Sequence, residues 1–168
     1  LLRAIWAYDG SPEVVAGLKL LALLYPRPGE LRHAEWTEFD LDGAVWTVPA
    51  SRMKMRRPHR VPLSNEAILI LRDLEAKRTY ATTLAFPSLR SASRCLSENT
   101  FNAALRRIGY ASDQATAHGF RASFSTIANE SRLWSADAIE RALAHEEQKP
   151  ARRAYARGEH WDERKRMA

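Results

Sequence analysis

Apolar residues recur at helical spacing through Val14, Val15, Leu18, Leu21, Ala22 and Leu24, and the pattern stops at Pro26 and Pro28. The spacing predicts a core helix with Arg27 held just past its end. Lys19 and the short length of the run exclude a membrane span. Gly29-Glu30-Leu31 can start a second, short helix running toward Trp36. Phe39-Asp40-Leu41 and Ala44 to Val48 then flank Asp42-Gly43, a hairpin signal because both central positions of a type I′ turn need positive φ. A third strand is predicted from His59 to Leu63, with a basic run in the connection that leads to it.

From Ser64 the period is helical again. Ile68, Leu71 and Leu74 share a face and Ser64 is placed to cap it. Residues 79–97 read as a polar, proline-containing connection. Thr100 to Ile108 reads as a short basic helix ended by Gly109, His118 to Asn129 as another, and Ser135 caps a third that reaches Leu143 or His145. A last helical segment is predicted around Tyr155. The fold class expected is α+β, mainly helical, with a small three-stranded antiparallel sheet at one edge.

With 168 residues the chain suits one domain that buries its own core, and 45% hydrophobic residues is an ordinary globular composition. The single cysteine, Cys95, forms no internal disulfide and has no companions for a zinc site, which fits a reducing cytoplasm. The sequence opens on Leu1 in what reads as a helix, without an initiator methionine or signal peptide, so a fragment of a longer protein is expected. Net charge is +6, concentrated in Arg52-Met53-Lys54-Met55-Arg56-Arg57-Pro58-His59-Arg60 and from Arg152 to Arg166. A polyanionic partner explains that distribution, and a solvated basic face is the alternative.

The chemistry-bearing residues fall in a fixed order along the chain. Arg27 lies in Arg27-Pro28-Gly29-Glu30-Leu31, and His118 and Arg121 in Ala117-His118-Gly119-Phe120-Arg121; His145 ends a helix ten positions before Tyr155. Planar guanidiniums pair bidentately with the oxygens of a phosphodiester and stay charged at physiological pH. Two of them can clamp the charge that develops on attack. His118 and Arg121 are three apart, on one face of a helix and in its first turns, where the backbone favours an anion. His145 sits where the helix dipole favours an imidazolium. A phenol among Arg152, Arg153 and Arg157 has a field that favours phenolate. Each element alone has an ordinary reading: a surface arginine, a helix-starting histidine, a histidine on its own helix carbonyls, a packing tyrosine.

Together they resemble the catalytic domain of the tyrosine recombinases, the phage-integrase family, over nearly the whole chain. The local sequence around Arg27, Met53 to Leu63 and His118 looks most like prophage or genomic-island integrases. The resemblance implies that residues 1–168 form such a catalytic domain, a fragment without the amino-terminal DNA-binding domains. It implies catalytic residues Arg27, Lys54, His118, Arg121, His145 and Tyr155, with Glu30 supporting Arg27 and with Arg52, Arg56, Arg57 and Arg60 gripping the DNA backbone. Tyr155 would attack a phosphate, leaving a 3′-phosphotyrosyl link, and Lys54 would protonate the departing 5′ oxygen. No metal and no cofactor such as ATP is required by that scheme. The partners implied are double-stranded DNA and further integrase subunits in a tetrameric synapse, with no membrane and with the fragment monomeric in solution. A type IB topoisomerase-like enzyme and a catalytically silent DNA-binding module are the two alternatives.

Overall fold

The computed structural model describes residues 1–53, 56–79, 81–145 and 158–168. Helix α1 (Leu2–Trp6) precedes α2 (Pro12–Leu24), whose Pro12 needs no amide partner in the first turn. Leu18, Leu20 and Leu21 are all fully buried, so α2 is apolar around most of its circumference rather than along one stripe. It is accordingly the central strut, with α1, α3 (Pro28–Arg32), α4 (Asn65–Ala76) and α5 (Thr100–Arg107) packed around it. Gly17 makes the α5 contact possible, because a Cβ at that position would collide with the ring of the fully buried Phe101.

Two strands after α3, β1 (Phe39–Asp40) and β2 (Val45–Val48), pair antiparallel, and β3 (His59–Pro62) completes a three-stranded sheet in the order β1-β2-β3. Trp46 pairs with Val61 and Val48 with His59, which puts their apolar side chains into the main core and places His59 at the end where the basic connection enters β3. The expected mixed, mainly helical fold with a small antiparallel sheet is what the chain adopts.

Two local expectations are corrected. The β1–β2 turn is not type I′: the positive φ falls on Ala44 (55°), and neither Asp42 nor Gly43 adopts one. Asp40 instead accepts the Gly43 amide through Oδ1 at 2.7 Å, closing an Asx-type turn. Glycine favours this close approach, since a Cβ at residue 43 would displace the Asp40 carboxylate that closes the turn. The connection 79–97 also carries structure, a second hairpin of β4 (Pro87–Ser88) and β5 (Ser91–Cys95). Its strand of Ser, Ala and Arg lacks the apolar alternation that announces a strand.

The remaining helices follow their caps. Ser64 Oγ accepts the Ala67 amide at 3.4 Å ahead of α4, and Ser135 Oγ accepts the Ala138 amide at 3.2 Å ahead of α7 (Ala136–Ala142). Gly109, at φ 93°, follows the end of α5 in a left-handed conformation. Helix α6 (Gly119–Ser131) begins one residue after the predicted start, with His118 as its N-cap. A last described helix spans Trp161–Met167; the helical segment expected around Tyr155 lies outside the described residues. Tyr25, Ala128, Ile139, Ala142 and Leu143 form a second, smaller core, walled by Phe124, Trp134 and Met167. The ends of α2 and α7 meet where the two cores adjoin.

The Gly17 contact gives a stability test. Gly17→Val overpacks the α2–α5 junction and is expected to lower the unfolding free energy by about 1–3 kcal/mol, read from the urea midpoint. A midpoint equal to that of the parent would show that Phe101 repacks freely.

Candidate active site

The site is built from helix ends. Arg27 is the N-cap of α3, extended at φ −65° and ψ 134° and flanked by two prolines that keep it out of either helix. Glu30, in the first turn, turns back: its Oε2 accepts the Arg27 amide at 3.0 Å and its Oε1 pairs with Arg27 Nη1 at 2.6 Å. The other guanidinium nitrogen, Nη2, donates to the Ala144 carbonyl at 3.2 Å, across 117 residues of sequence. Glu30, expected to support Arg27, is thus bonded to both its amide and its guanidinium.

Arg121 is buried, at 5% exposure. Its Nη1 donates to the Tyr25 carbonyl at 2.9 Å and its Nη2 to the carbonyl of Leu143. Tyr25 ends α2 in the left-handed region (φ 44°), and its ring lies flat on Phe124 of α6, with centroids 3.5 Å apart. The stack carries Tyr25 onto the helix that holds Arg121.

The end of α7 explains how two arginines come to share it. Ala144 is left-handed (φ 50°), its amide bonds to the Arg141 carbonyl at 3.1 Å, and the His145 amide bonds to the Glu140 carbonyl at 2.9 Å. This is a Schellman closure, which satisfies the Glu140 and Arg141 carbonyls and leaves those of Ala142, Leu143 and Ala144 without helical partners. Leu143 and Ala144 then take Arg121 and Arg27. His145 follows at the surface, its Nδ1 2.9 Å from Glu140 Oε2.

His118 is exposed as the N-cap of α6, and its carbonyl accepts the Arg121 amide at 3.1 Å. Arg27, Glu30, Arg121 and the turn into His145 are therefore joined by direct bonds, and His118 joins them through the first turn of α6. Lys54 and Tyr155 lie outside the described residues.

The four arginines expected on DNA have different surroundings. Arg52 is held by Glu38, which also accepts the Trp46 indole N–H at 3.0 Å, and donates to the Glu30 carbonyl at 3.3 Å. It braces the root of the β2–β3 hairpin against α3. Arg60 stacks on Trp161 at 4.1 Å and pairs with Glu159 at 3.4 Å. Arg56 and Arg57 are exposed.

Sequence reasoning assigned no role at the site to His59 or Arg164. Arg164 is 2% exposed, bonds to the Arg60 carbonyl and approaches the Glu159 carbonyl at 3.4 Å. Nothing in its tail context distinguishes it from its solvated neighbours. His59 is partly buried beside the Ala142 carbonyl. Burial above all, then Arg164, with smaller contributions from Arg121 and Arg27, pushes its imidazole down to about 3 against the pull of that carbonyl. Burial likewise pushes the Tyr25 phenol up to about 12, with Arg164 and Arg121 opposing. The centre thus gathers positive charge, keeps His59 neutral and keeps Tyr25 protonated. Such an arrangement can receive a phosphodiester without a metal ion between protein and substrate.

Comparison with known proteins gives a consistent picture. The model of the phage integrase family matches residues 14–160. The integrase of Enterobacteria phage P4 is 40% identical over 180 aligned positions, covering 99% of this chain and 41% of that protein. Prophage integrase IntZ of Escherichia coli (strain K12) is 43% identical over 136 positions, 81% of this chain and 33% of the relative. The chain therefore spans less than half the length of these relatives. Among solved structures, the integrase from mycobacterium phage Brujita superposes with a TM-score of 0.71 at 18% identity, over 99% of this chain and 54% of the other. The XerH site-specific recombinase, in a pre-cleavage complex with its difH substrate, gives 0.69 at 19% identity, over 96% and 48%. Both carry the same fold.

The His59 environment sets a pH test. Its folded value, about 3, lies below the ordinary 6.5, so between those values the unfolded chain binds the extra proton and stability falls as pH is lowered through that window. His59→Gln, which does not titrate, is expected to flatten the dependence of the urea midpoint on pH between 4 and 7. Parallel slopes for the two chains would place the acid-sensitive group elsewhere.

Proposed function

The chain belongs to the phage integrase family, and from that premise we propose that it is the catalytic domain of a tyrosine-type site-specific DNA recombinase. The observation that carries the reading is the fixing of Arg27 and Arg121 on adjacent carbonyls of one helix end, Ala144 and Leu143. Two guanidiniums so placed can grip the non-bridging oxygens of one phosphate. Their anchors are neutral, apart from Glu30 on Arg27, so most of the positive charge remains for the substrate. His118, at the start of α6, and His145, at the end of α7, add imidazole donors from the two flanking helices.

In the proposed reaction Tyr155, as the phenolate left when its proton passes to solvent, attacks the clamped phosphorus through its oxygen, the bond from phosphorus to the 5′ oxygen breaks, and Lys54 supplies the proton that the leaving oxygen takes up. A 3′-phosphotyrosyl link and a free 5′-hydroxyl result. Attack by a 5′-hydroxyl of another strand reverses the step and joins the new partner, with the bond energy conserved in the phosphotyrosine. Double-stranded DNA is the proposed substrate and integration of a mobile element the proposed purpose. Strand exchange requires further subunits on DNA, in a tetrameric synapse.

A suicide duplex that traps the phosphotyrosyl adduct tests the reading. The parent chain is expected to form the adduct in excess EDTA, and Tyr155→Phe to abolish it while binding DNA nearly as before. Arg27→Ala and Arg121→Ala should each slow adduct formation by at least about two orders of magnitude, the scale of losing one preorganised donor, with the exposed Arg90→Ala close to neutral. An adduct that persists in Tyr155→Phe would remove the nucleophile assignment.

Lys54 has its own test. If it is the general acid, Lys54→Ala should cleave ordinary DNA slowly and recover on a duplex with sulfur in place of the bridging 5′ oxygen, because a thiolate leaves without a proton. Equal defects on both substrates would reduce Lys54 to a phosphate contact.

A further inference from the structure

Of the site side chains among the described residues, His118 stands apart. Arg27 is held by Glu30 and Ala144, Arg121 by Tyr25 and Leu143, and His145 by Glu140. The exposed imidazole of His118 makes no comparable side-chain bond, so its position is inherited from the backbone beneath it. That backbone is gripped immediately upstream. Asn102 Oδ1 accepts the Ala117 amide at 2.9 Å, and Arg106 Nη2 donates to the Ala115 carbonyl. The two side chains are four apart on α5, hence on one face, and they take a donor and an acceptor of the same tripeptide.

The residues gripped are suited to it. Ala115 and Ala117 are buried and small, which lets the segment lie close against α5, and both belong to the main core. Between them Thr116 points the other way along the chain: its Oγ1 accepts the Gly119 amide at 3.0 Å, sharing that donor with its own carbonyl at the start of α6. The segment is thus fastened on one side to α5 and on the other to the helix that carries His118 and Arg121.

We propose that Asn102, acting with Arg106, is a positioning residue for the cleavage centre, fixing the Ala115–Ala117 backbone and through it the placement of His118. The proposal rests on the recombinase reading for its catalytic consequence. Asn102 touches no reacting atom; it sets where an imidazole meets a phosphate oxygen. A displacement of about 1 Å at such a donor is enough to slow chemistry by as much as a hundredfold. Arg106 lies in the helix read from sequence as basic, and the structure turns it inward onto the Ala115 carbonyl.

The experiment compares Asn102→Leu, which keeps the size and loses the acceptor, with Asn102→Asp, which keeps the acceptor. Single-turnover adduct formation on the suicide duplex, at saturating DNA, is expected to slow roughly tenfold to a hundredfold in the leucine variant and to be largely restored in the aspartate variant. The leucine penalty should disappear when His118 is already alanine, because the two changes then act on one interaction. Amide exchange of Ala117 and the imidazole resonances of His118, read without DNA, should change in Asn102→Leu and not in Asn102→Asp. A folded leucine variant that cleaves at the parental rate, or a penalty that adds in full to that of His118→Ala, overturns the proposal. A parent chain that forms no adduct counts against the recombinase reading, and in that case unchanged His118 resonances in Asn102→Leu would overturn the positioning role as well.

Discussion

One guanidinium, lodged between the carbonyl ends of two helices, is the contact on which the rest of the centre hangs. Arg121 reaches the last carbonyl of α2 with one nitrogen and the end of α7 with the other. Helix α2 is the strut of the main core, whereas α7 belongs to the smaller one. The arginine is therefore a staple between two packing units, in addition to the phosphate-binding role proposed for it. Hydrogen bonds to a charged donor contribute about 1.5–3 kcal/mol each, and removing a buried donor leaves its acceptors unpaired at further cost. Loss of Arg121 consequently acts on the alignment of α2 with α7 in addition to removing a charge.

The choice of acceptors matters to the field. A carboxylate on each arginine would neutralise the cluster and compete with a phosphate. Carbonyls at a helix end carry only partial negative charge, enough to orient a cation and too little to cancel it. Only Arg27 has a full countercharge, and Glu30 occupies one side of its guanidinium. Depression of the His59 pKa points the same way: burial is its main cause, and the positive charge of Arg164, Arg121 and Arg27 adds to it, so an imidazolium is disfavoured beside the cluster.

How much of this was readable in the sequence follows from what each residue leans on. The helices were legible because their caps and periods are local: Ser64, Ser135, Gly109 and the leucines of α2 announce themselves. Arg27 and Arg121 were legible because their neighbours form a pattern, Pro-Arg-Pro-Gly-Glu in one case and His-Gly-Phe-Arg in the other. His59 and Arg164 were not, because what places them is contact across the fold: the end of α7 beside His59, and the Arg60 carbonyl, 104 residues away, beneath Arg164. The Asp42-Gly43 turn misled for a different reason. Glycine serves there as the absence of a side chain near Asp40, and its left-handed freedom goes unused. The partners of Arg52, Glu38 and the Glu30 carbonyl, were not legible either, because they too are brought to it by the fold.

The anchors of the two arginines at Tyr25, Leu143 and Ala144 are main-chain atoms, and this bears on how the centre tolerates drift. A point mutation replaces a side chain and leaves the carbonyl where it was. What a substitution at these three positions can disturb is conformation and packing: residues 25 and 144 must accept a left-handed backbone, and Tyr25 and Leu143 are also buried in the smaller core. The clamp is thus written into the path of the backbone, and a substitution at these positions reaches it through fold and packing, with the acceptor atoms themselves still in the chain.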